Sequence, residues 1–264
     1  YYAHTAYEKN NSKEALEYFL KLKDSETFGP LVPLYISQIY FEQQKYDEML
    51  EYAIPVLERE MVQSKNEIRR VIAEAYYKKG QYPKALDFFE EYAQNSPVLS
   101  RDDNYQIGFA YYKLQQFEKA ATYLKKVTDV KDTLAQNVYF VLGDCFIKAG
   151  NKQSARSAFE AAFKMDYDKE TKEEAQFNFA KLTYELNYQS GAIKTLNDFL
   201  KMYPQSKHKD EIHELLGNIY LGTRNYKDAI EALDKIQNKT ETVKTAYQKV
   251  TYYRGTEFFI SLLF

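Results

Sequence analysis

The chain has 264 residues, 45% of them hydrophobic, enough for a large core or a long stacked array. A formal net charge of −2 and a pI near 6.1 give no electrostatic footprint for nucleic acid or an anionic membrane surface. Nine glycines and six prolines are too few for an all-β fold built on tight turns, and a lone cysteine, Cys145, excludes an internal disulfide and a cysteine-based metal site.

The chain opens inside a helix that carries Ala3 and Ala6, with Ala15 early in the helix that follows. Ser37 and Tyr40 mark the next first helix and Met49 the next second helix, where Pro55 should kink or shorten it. The pattern is fullest from Glu67 to Pro97. Ile72, Ala73 and Tyr76 share one helical face, and Gly80 stands where a left-handed residue closes the last turn. Pro83 falls in the first turn of the next helix, and Ala85, Phe89 and Tyr92 form its apolar stripe. The set then recurs as Gly108, Tyr111 and Ala120, and as Gly143, Phe146 and Ala155. Two further copies are Ala180, Thr183 and Ala192, then Gly217, Tyr220 and Ala229. The small residue early in each second helix repeats at spacings of 34 to 37 residues, a period that signals stacked helix pairs. Val250 to Phe264 predicts the first helix of a further repeat, with Gly255 and Phe258 in the corresponding slots. Its tail, FFISLLF, is too apolar for a solvated end. The array is therefore expected to continue in a longer parent protein, of which this chain is a piece, or to associate with another copy through this apolar helix.

This register resembles the tetratricopeptide repeat family over essentially the whole chain. QIGFAYYKLQQFEKAATYL, VLGDCFIKAGNKQSARSAF and LLGNIYLGTRNYKDAIEAL carry the likeness, and Pro97 and Pro204 occupy the family's end-of-repeat proline. The resemblance implies an all-α fold, a right-handed α-α superhelical solenoid of about seven helix pairs plus one further helix. A single array over 1–264 is expected, with repeats near 1–28, 31–60, 66–98, 101–130, 136–168, 173–206 and 210–238 and a partial eighth at 247–264. The fourth motif position departs from the family's large aromatic: Arg69, Asn104, Gln176 and His213 stand there, and only Tyr139 fits.

Catalytic chemistry is not expected. Histidine occurs only at His4, His208 and His213, and the HELLG stretch has Gly217 where a zinc-protease helix needs its second imidazole. Cys145 reads as a buried, inert thiol. No glycine pattern forms a phosphate cradle, and Asp102-Asp103 and Glu173-Glu174 read as first-turn charges that favour the helix dipole. No cofactor and no metal are expected, and no apolar run is long enough to insert into a membrane.

One residue along from the packing stripe of each first helix lies a second face, rotated by about 100°. It carries Arg70, Glu74 and Tyr77, then Tyr105, Phe109 and Tyr112, then Phe140, Asp144 and Ile147, then Phe177, Lys181 and Tyr184. In the resembled family this face lines a concave groove that binds peptides and partner segments. The resemblance thus implies a partner-binding groove of Arg70, Tyr77, Tyr105, Phe109, Tyr112, Phe140, Phe177, Lys181 and Tyr184. Tyr105, Phe140 and Phe177 are expected to be exposed, whereas Tyr77, Tyr112 and Tyr184 either face the groove or pack between neighbouring first helices. The family's carboxylate clamp is not expected, because Arg70, Asn178 and Asn218 lie far apart in the array.

The expected function is a non-catalytic scaffold that holds a partner protein or extended peptide. The alternative is a glycan or cell-wall binding module that uses the same aromatics. A nucleic-acid partner would need a basic channel and is not expected. NDFLKMYPQSKHKDEIHELLGNIY also resembles bacterial cell-envelope repeat proteins, through Phe199, Tyr203, Pro204 and Ser206. That second resemblance implies a periplasmic setting in envelope assembly; the alternative is the cytoplasm.

Overall fold

The computed structural model describes residues 1–262, and of Gln189 the backbone alone. Among the described residues there is no strand, and the helices run as successive pairs. The pairs are α1 (Tyr2–Glu8) with α2 (Ser12–Leu22), α3 (Pro33–Glu42) with α4 (Tyr46–Leu57), and α5 (Lys65–Lys78) with α6 (Tyr82–Gln94). They continue as α7 (Arg101–Lys113) with α8 (Phe117–Leu124), α9 (Thr133–Lys148) with α10 (Lys152–Phe163), and α11 (Lys169–Glu185) with α12 (Gln189–Met202). The last pair is α13 (Lys209–Gly222) with α14 (Tyr226–Asp234), followed by α15 (Glu241–Ser261).

These helices form two compact units, one of residues Tyr1–Val127 and one from Thr128 onward. Inside each unit the same packing recurs. A first helix lies on its own second helix, and that second helix lies on the next first helix. Neither amphipathic stripe is covered within one pair, so each pair is completed by its neighbour.

The small residues stand where the helices cross. Ala15, Met49, Ala85, Ala120, Ala155, Ala192 and Ala229 are all fully buried. Opposite them the glycines are notches. A Cβ on Gly108 would lie 2.8 Å from Leu124 Cγ, one on Gly143 2.6 Å from the Phe159 ring, and one on Gly217 2.5 Å from Leu233 Cδ2. Each glycine therefore admits a large side chain from the second helix of its own pair.

The turn inside each pair has one fixed requirement that the sequence shows only twice. Asn10, Gln44, Gly80, Gln115, Gly150, Asn187 and Arg224 all have positive φ, between 57° and 76°. Gly80 and Gly150 adopt this conformation freely, whereas Gln44, Gln115 and Arg224 pay roughly 1–2 kcal/mol each for the Cβ–carbonyl crowding of a left-handed residue. Gln115→Gly and Arg224→Gly are therefore expected to raise stability, by about 0.5–1 kcal/mol each after the added chain entropy of glycine. Thr223→Gly, one residue earlier at φ −88°, should instead destabilise. Urea titration of the variants checks this; equal effects at residues 223 and 224 would refute the turn assignment.

Caps fix the helix starts. Ser100 and Asp103 form a reciprocal capping box on α7, which identifies Asp103 as a capping group. Asn11, Asp132, Asn151, Asp168, Asn225 and Thr240 cap their helices through side-chain oxygens. Pro55 lies inside α4, which runs through it and stops two residues later at Leu57. The junction residues Phe199 and Tyr203 serve the core: Phe199 is fully buried and its ring lies 4.9 Å from that of Tyr203.

The last helix departs from expectation. α15 begins at Glu241, ahead of the expected partial repeat, and is seated by the buried Val243 and Val250. Nothing lies within 4 Å of a Cβ placed on Gly255, and Phe258 is exposed, so neither fills the slot of its counterparts Gly217 and Tyr220. The cause is physical: no second helix crosses α15 among the described residues. Leu263 and Phe264, the end of the expected apolar tail, lie outside the described residues.

Candidate partner-binding face

In the first unit, four of the expected groove residues converge. Tyr77 on α5 meets Phe109 on α7 edge to face, with ring centroids 6.3 Å apart. Phe109 stacks on Tyr105 at 5.8 Å and lies 5.9 Å from Tyr112. Helical spacing produces this, because Tyr105, Phe109 and Tyr112 fall at i, i+4 and i+7 on α7. All four rings are half-buried, so each is held by its neighbours and still presents area to solvent.

Two rings that the sequence reading did not place in the groove extend the network. Tyr82, in the first turn of α6, meets Tyr77 edge to face at 5.7 Å, and Phe117, in the first turn of α8, meets Tyr112 at 6.2 Å. Phe41 and Tyr46 pair across the turn between α3 and α4, with tilted rings 5.4 Å apart. The signal was an aromatic two residues past four of the seven left-handed turn residues, at Tyr46, Tyr82, Phe117 and Tyr226.

A polar pair lies on the same helix as Tyr77. Arg70 Nη1 donates to Glu74 Oε1 at 2.6 Å, one turn apart on α5. Burial pushes the Glu74 carboxyl above its usual range, against the pull of Arg70, and the nearby Asp103 adds to the rise. Burial likewise raises the hydroxyls of Tyr77 and Tyr105, so both stay protonated and able to donate at neutral pH. Lys113 Nζ lies 5.0 Å from the Phe109 ring centroid, a cation–π arrangement at the edge of the cluster. This face offers flat apolar area, hydroxyl donors and one guanidinium, which suits stacking and hydrogen bonding.

The expected residues of the second unit are not assembled in this way. Phe177, expected to be exposed, is instead only 6% exposed. The loop after α12 returns over α11 and lays the His208 ring on Phe177, at 3.8 Å and nearly parallel. Glu174 fixes that loop, its carboxylate lying 3.0 Å from His208 Nε2 and 2.7 Å from Lys207 Nζ. Phe140 is half-buried and turned edge-on to the Phe159 ring at 5.5 Å. Lys181 pairs with Glu211 at 2.8 Å, and Tyr184 packs against the core around Ala180 and Ile219.

The histidine and cysteine positions take structural places. His213 is 5% exposed, and burial holds its imidazole below the usual pKa. Cys145 is fully buried in α9. Among the described residues no group of three or more His, Cys, Asp or Glu could hold a metal ion, and no helix is long and apolar enough to cross a membrane.

A family model described as tetratricopeptide repeat matches residues 36–99 and 105–168. Among solved structures, the C-terminal part of a TPR repeat-containing protein from Cytophaga hutchinsonii is similar at 19% identity and a TM-score of 0.59. That likeness covers 93% of this chain and 98% of the other. YrrB, described as a TPR protein with an unusual peptide-binding site, is similar at 19% identity and a TM-score of 0.56, over 80% of this chain and 100% of its own. A chain of the Naa15/Naa10 structure bound to HypK-THB gives a TM-score of 0.66 at 12% identity, over 94% of this chain and 38% of its own. No curated protein matches the chain in sequence. At these identities the solved structures speak for the fold alone, and the family model identifies tetratricopeptide repeats at residues 36–99 and 105–168.

Proposed function

We propose that the chain is a non-catalytic interaction scaffold whose first unit holds a protein or extended peptide on the aromatic face of α5 and α7. The observation that carries this reading is the ring network from Tyr82 through Tyr77 and Phe109 to Tyr105, Tyr112 and Phe117, half-exposed on one unit. Contiguous apolar area of this kind marks a contact surface, and tyrosine is favoured there because it combines rigid area with a hydroxyl. The Arg70 guanidinium and the protonated hydroxyls fit a segment that alternates apolar anchors with carbonyl or carboxylate acceptors. An envelope setting for that partner rests on the Phe199-Tyr203-Pro204-Ser206 junction alone.

A displayed peptide library, panned against the chain, supplies a ligand for the test. Tyr105→Ala and Phe109→Ala should each weaken that ligand by ~2 kcal/mol or more, about thirtyfold in Kd, with a small change in melting temperature. Phe177→Ala should do the reverse, lowering the melting temperature and leaving Kd near its wild-type value. Unchanged affinity in both first-unit variants would refute the assignment. Capture of a glycan on an array, lost in the same variants, would favour the cell-wall alternative.

A further inference from the structure

Three repeat positions break their own rule at one place in the second unit. The position after the small residue of each second helix is apolar at Leu16, Leu50, Leu86, Ala121, Ile193 and Ile230, but is Arg156 in α10. The aromatic near the end of five first helices, at Tyr40, Tyr76, Tyr111, Phe146 and Tyr220, gives way to Thr183 in α11. The residue before each second helix is polar at Asn11, Lys45, Gln81, Gln116, Asn151 and Asn225, but is Tyr188 ahead of α12.

The three departures meet. Arg156 Nε donates to Thr183 Oγ1 at 2.9 Å, and the Thr183 hydroxyl donates in turn to the Phe179 carbonyl at 2.7 Å, which leaves its lone pairs for the guanidinium. The guanidinium carbon lies 4.5 Å from the Phe179 ring centroid and 5.3 Å from that of Tyr188, a ring that is 49% exposed. One hydroxyl and two rings thus hold a planar cation in a set orientation.

The charge of that cation is left unanswered. Glu160 stands one turn along α10, yet it pairs with Lys164 at 2.7 Å, and Glu185 pairs with Lys152 at 2.7 Å. Among the described residues Arg156 forms no ion pair. Its side chain is half-buried, and its Nη edge keeps access to water. Packing does not call for a guanidinium here, since an apolar side chain fills the same position in six other pairs. Local rules broken together without a structural return mark a functional site.

We propose that Arg156 is a binding site for the carboxylate of an aspartate or glutamate side chain on a partner protein, gripped by the two Nη donors beside the Tyr188 ring. A carboxylate accepts two parallel N–H bonds from a guanidinium, and an arginine already oriented loses little freedom on binding. One uncompensated positive charge matches a carboxylate, whereas phosphate groups are recognised by clusters of arginines. The site shares no residue with the aromatic face of α5 and α7, so each reading stands or falls by itself.

An acetylated, amidated tetraglutamate peptide and its tetraglutamine counterpart are the probes, titrated into the whole chain at constant ionic strength and followed by NMR. The Arg156 Nε–H and Tyr188 ring resonances should shift and saturate together with tetraglutamate, with a Kd in the millimolar range, and stay in place with tetraglutamine. Arg156→Lys keeps the charge without the two-pronged edge and should weaken binding by about tenfold. Arg156→Leu, which gives this position the side chain of Leu16, Leu50 and Leu86, should abolish the Tyr188 response and keep or raise the melting temperature, separating lost binding from lost folding. An Nε–H resonance unmoved by tetraglutamate would overturn the proposal. So would equal binding of tetraglutamine, or unaltered binding in Arg156→Leu. Tighter binding of a peptide of three glutamines and one phosphoserine would assign the site to phosphate instead.

Discussion

Phe159→Ala is expected to lower the stability of the second unit by about 3–5 kcal/mol, a large share of what holds a domain of this size together. Phe159 is 2% exposed and lies over Gly143, with Phe140 edge-on to its ring. Around it, Ala155, Ala162, Ala175 and Phe179 complete a buried cluster that joins α10 to α11. Removing the ring leaves a cavity bounded on one side by glycine, which has no side chain to collapse into it. Because each helix pair touches mainly its neighbours, the loss should be local. Hydrogen exchange should quicken in α9 to α12 while α3 to α6 keep their protection. An even loss of protection from α3 to α14 would contradict nearest-neighbour stacking.

Gly143→Leu should damage the same contact from the other side. The Cβ alone would stand 2.6 Å from the Phe159 ring, closer than such atoms pack, so the helices must separate or the ring must leave its rotamer. Overpacking of this kind costs about 1–3 kcal/mol. The two substitutions should be coupled, since a leucine at residue 143 partly refills the space that Phe159→Ala empties. The double variant is therefore expected to be more stable than the sum of the single losses predicts, by at least about 0.5 kcal/mol. Strict additivity in urea titrations would show that Gly143 and Phe159 do not share one contact.

The helix pairs were legible because their cause is periodic. Ala85, Ala120 and Ala155 recur at one phase, as stacked helix pairs of a fixed length require. The aromatic cluster was legible only in part. Tyr105, Phe109 and Tyr112 lie on one face of α7 as helical spacing requires, and Tyr77 joins them because α5 and α7 are neighbours. Phe177 occupies the same motif position as Tyr105, yet it is buried, because the loop at His208 folds back over it. That burial depends on a loop conformation, which helical periodicity does not encode. The left-handed turn residues were hidden for a related reason. Glycine announces the conformation at Gly80 and Gly150, whereas glutamine at Gln44 and Gln115 adopts it under the compulsion of the flanking helices. At α15 the motif placed Gly255 and Phe258 in a slot that a following helix would have to create, and among the described residues none does.

On the proposed function, the aromatic face of α5 and α7 holds a peptide segment. The most direct test is chemical-shift mapping of ring resonances in the chain titrated with its selected peptide. Resonances of Tyr77, Tyr105, Phe109 and Tyr112 should move with the peptide and saturate together, while those of the buried Phe159 and Phe199 stay in place. Perturbations confined to α11 to α15, with the four rings unmoved at saturation, would contradict the claim.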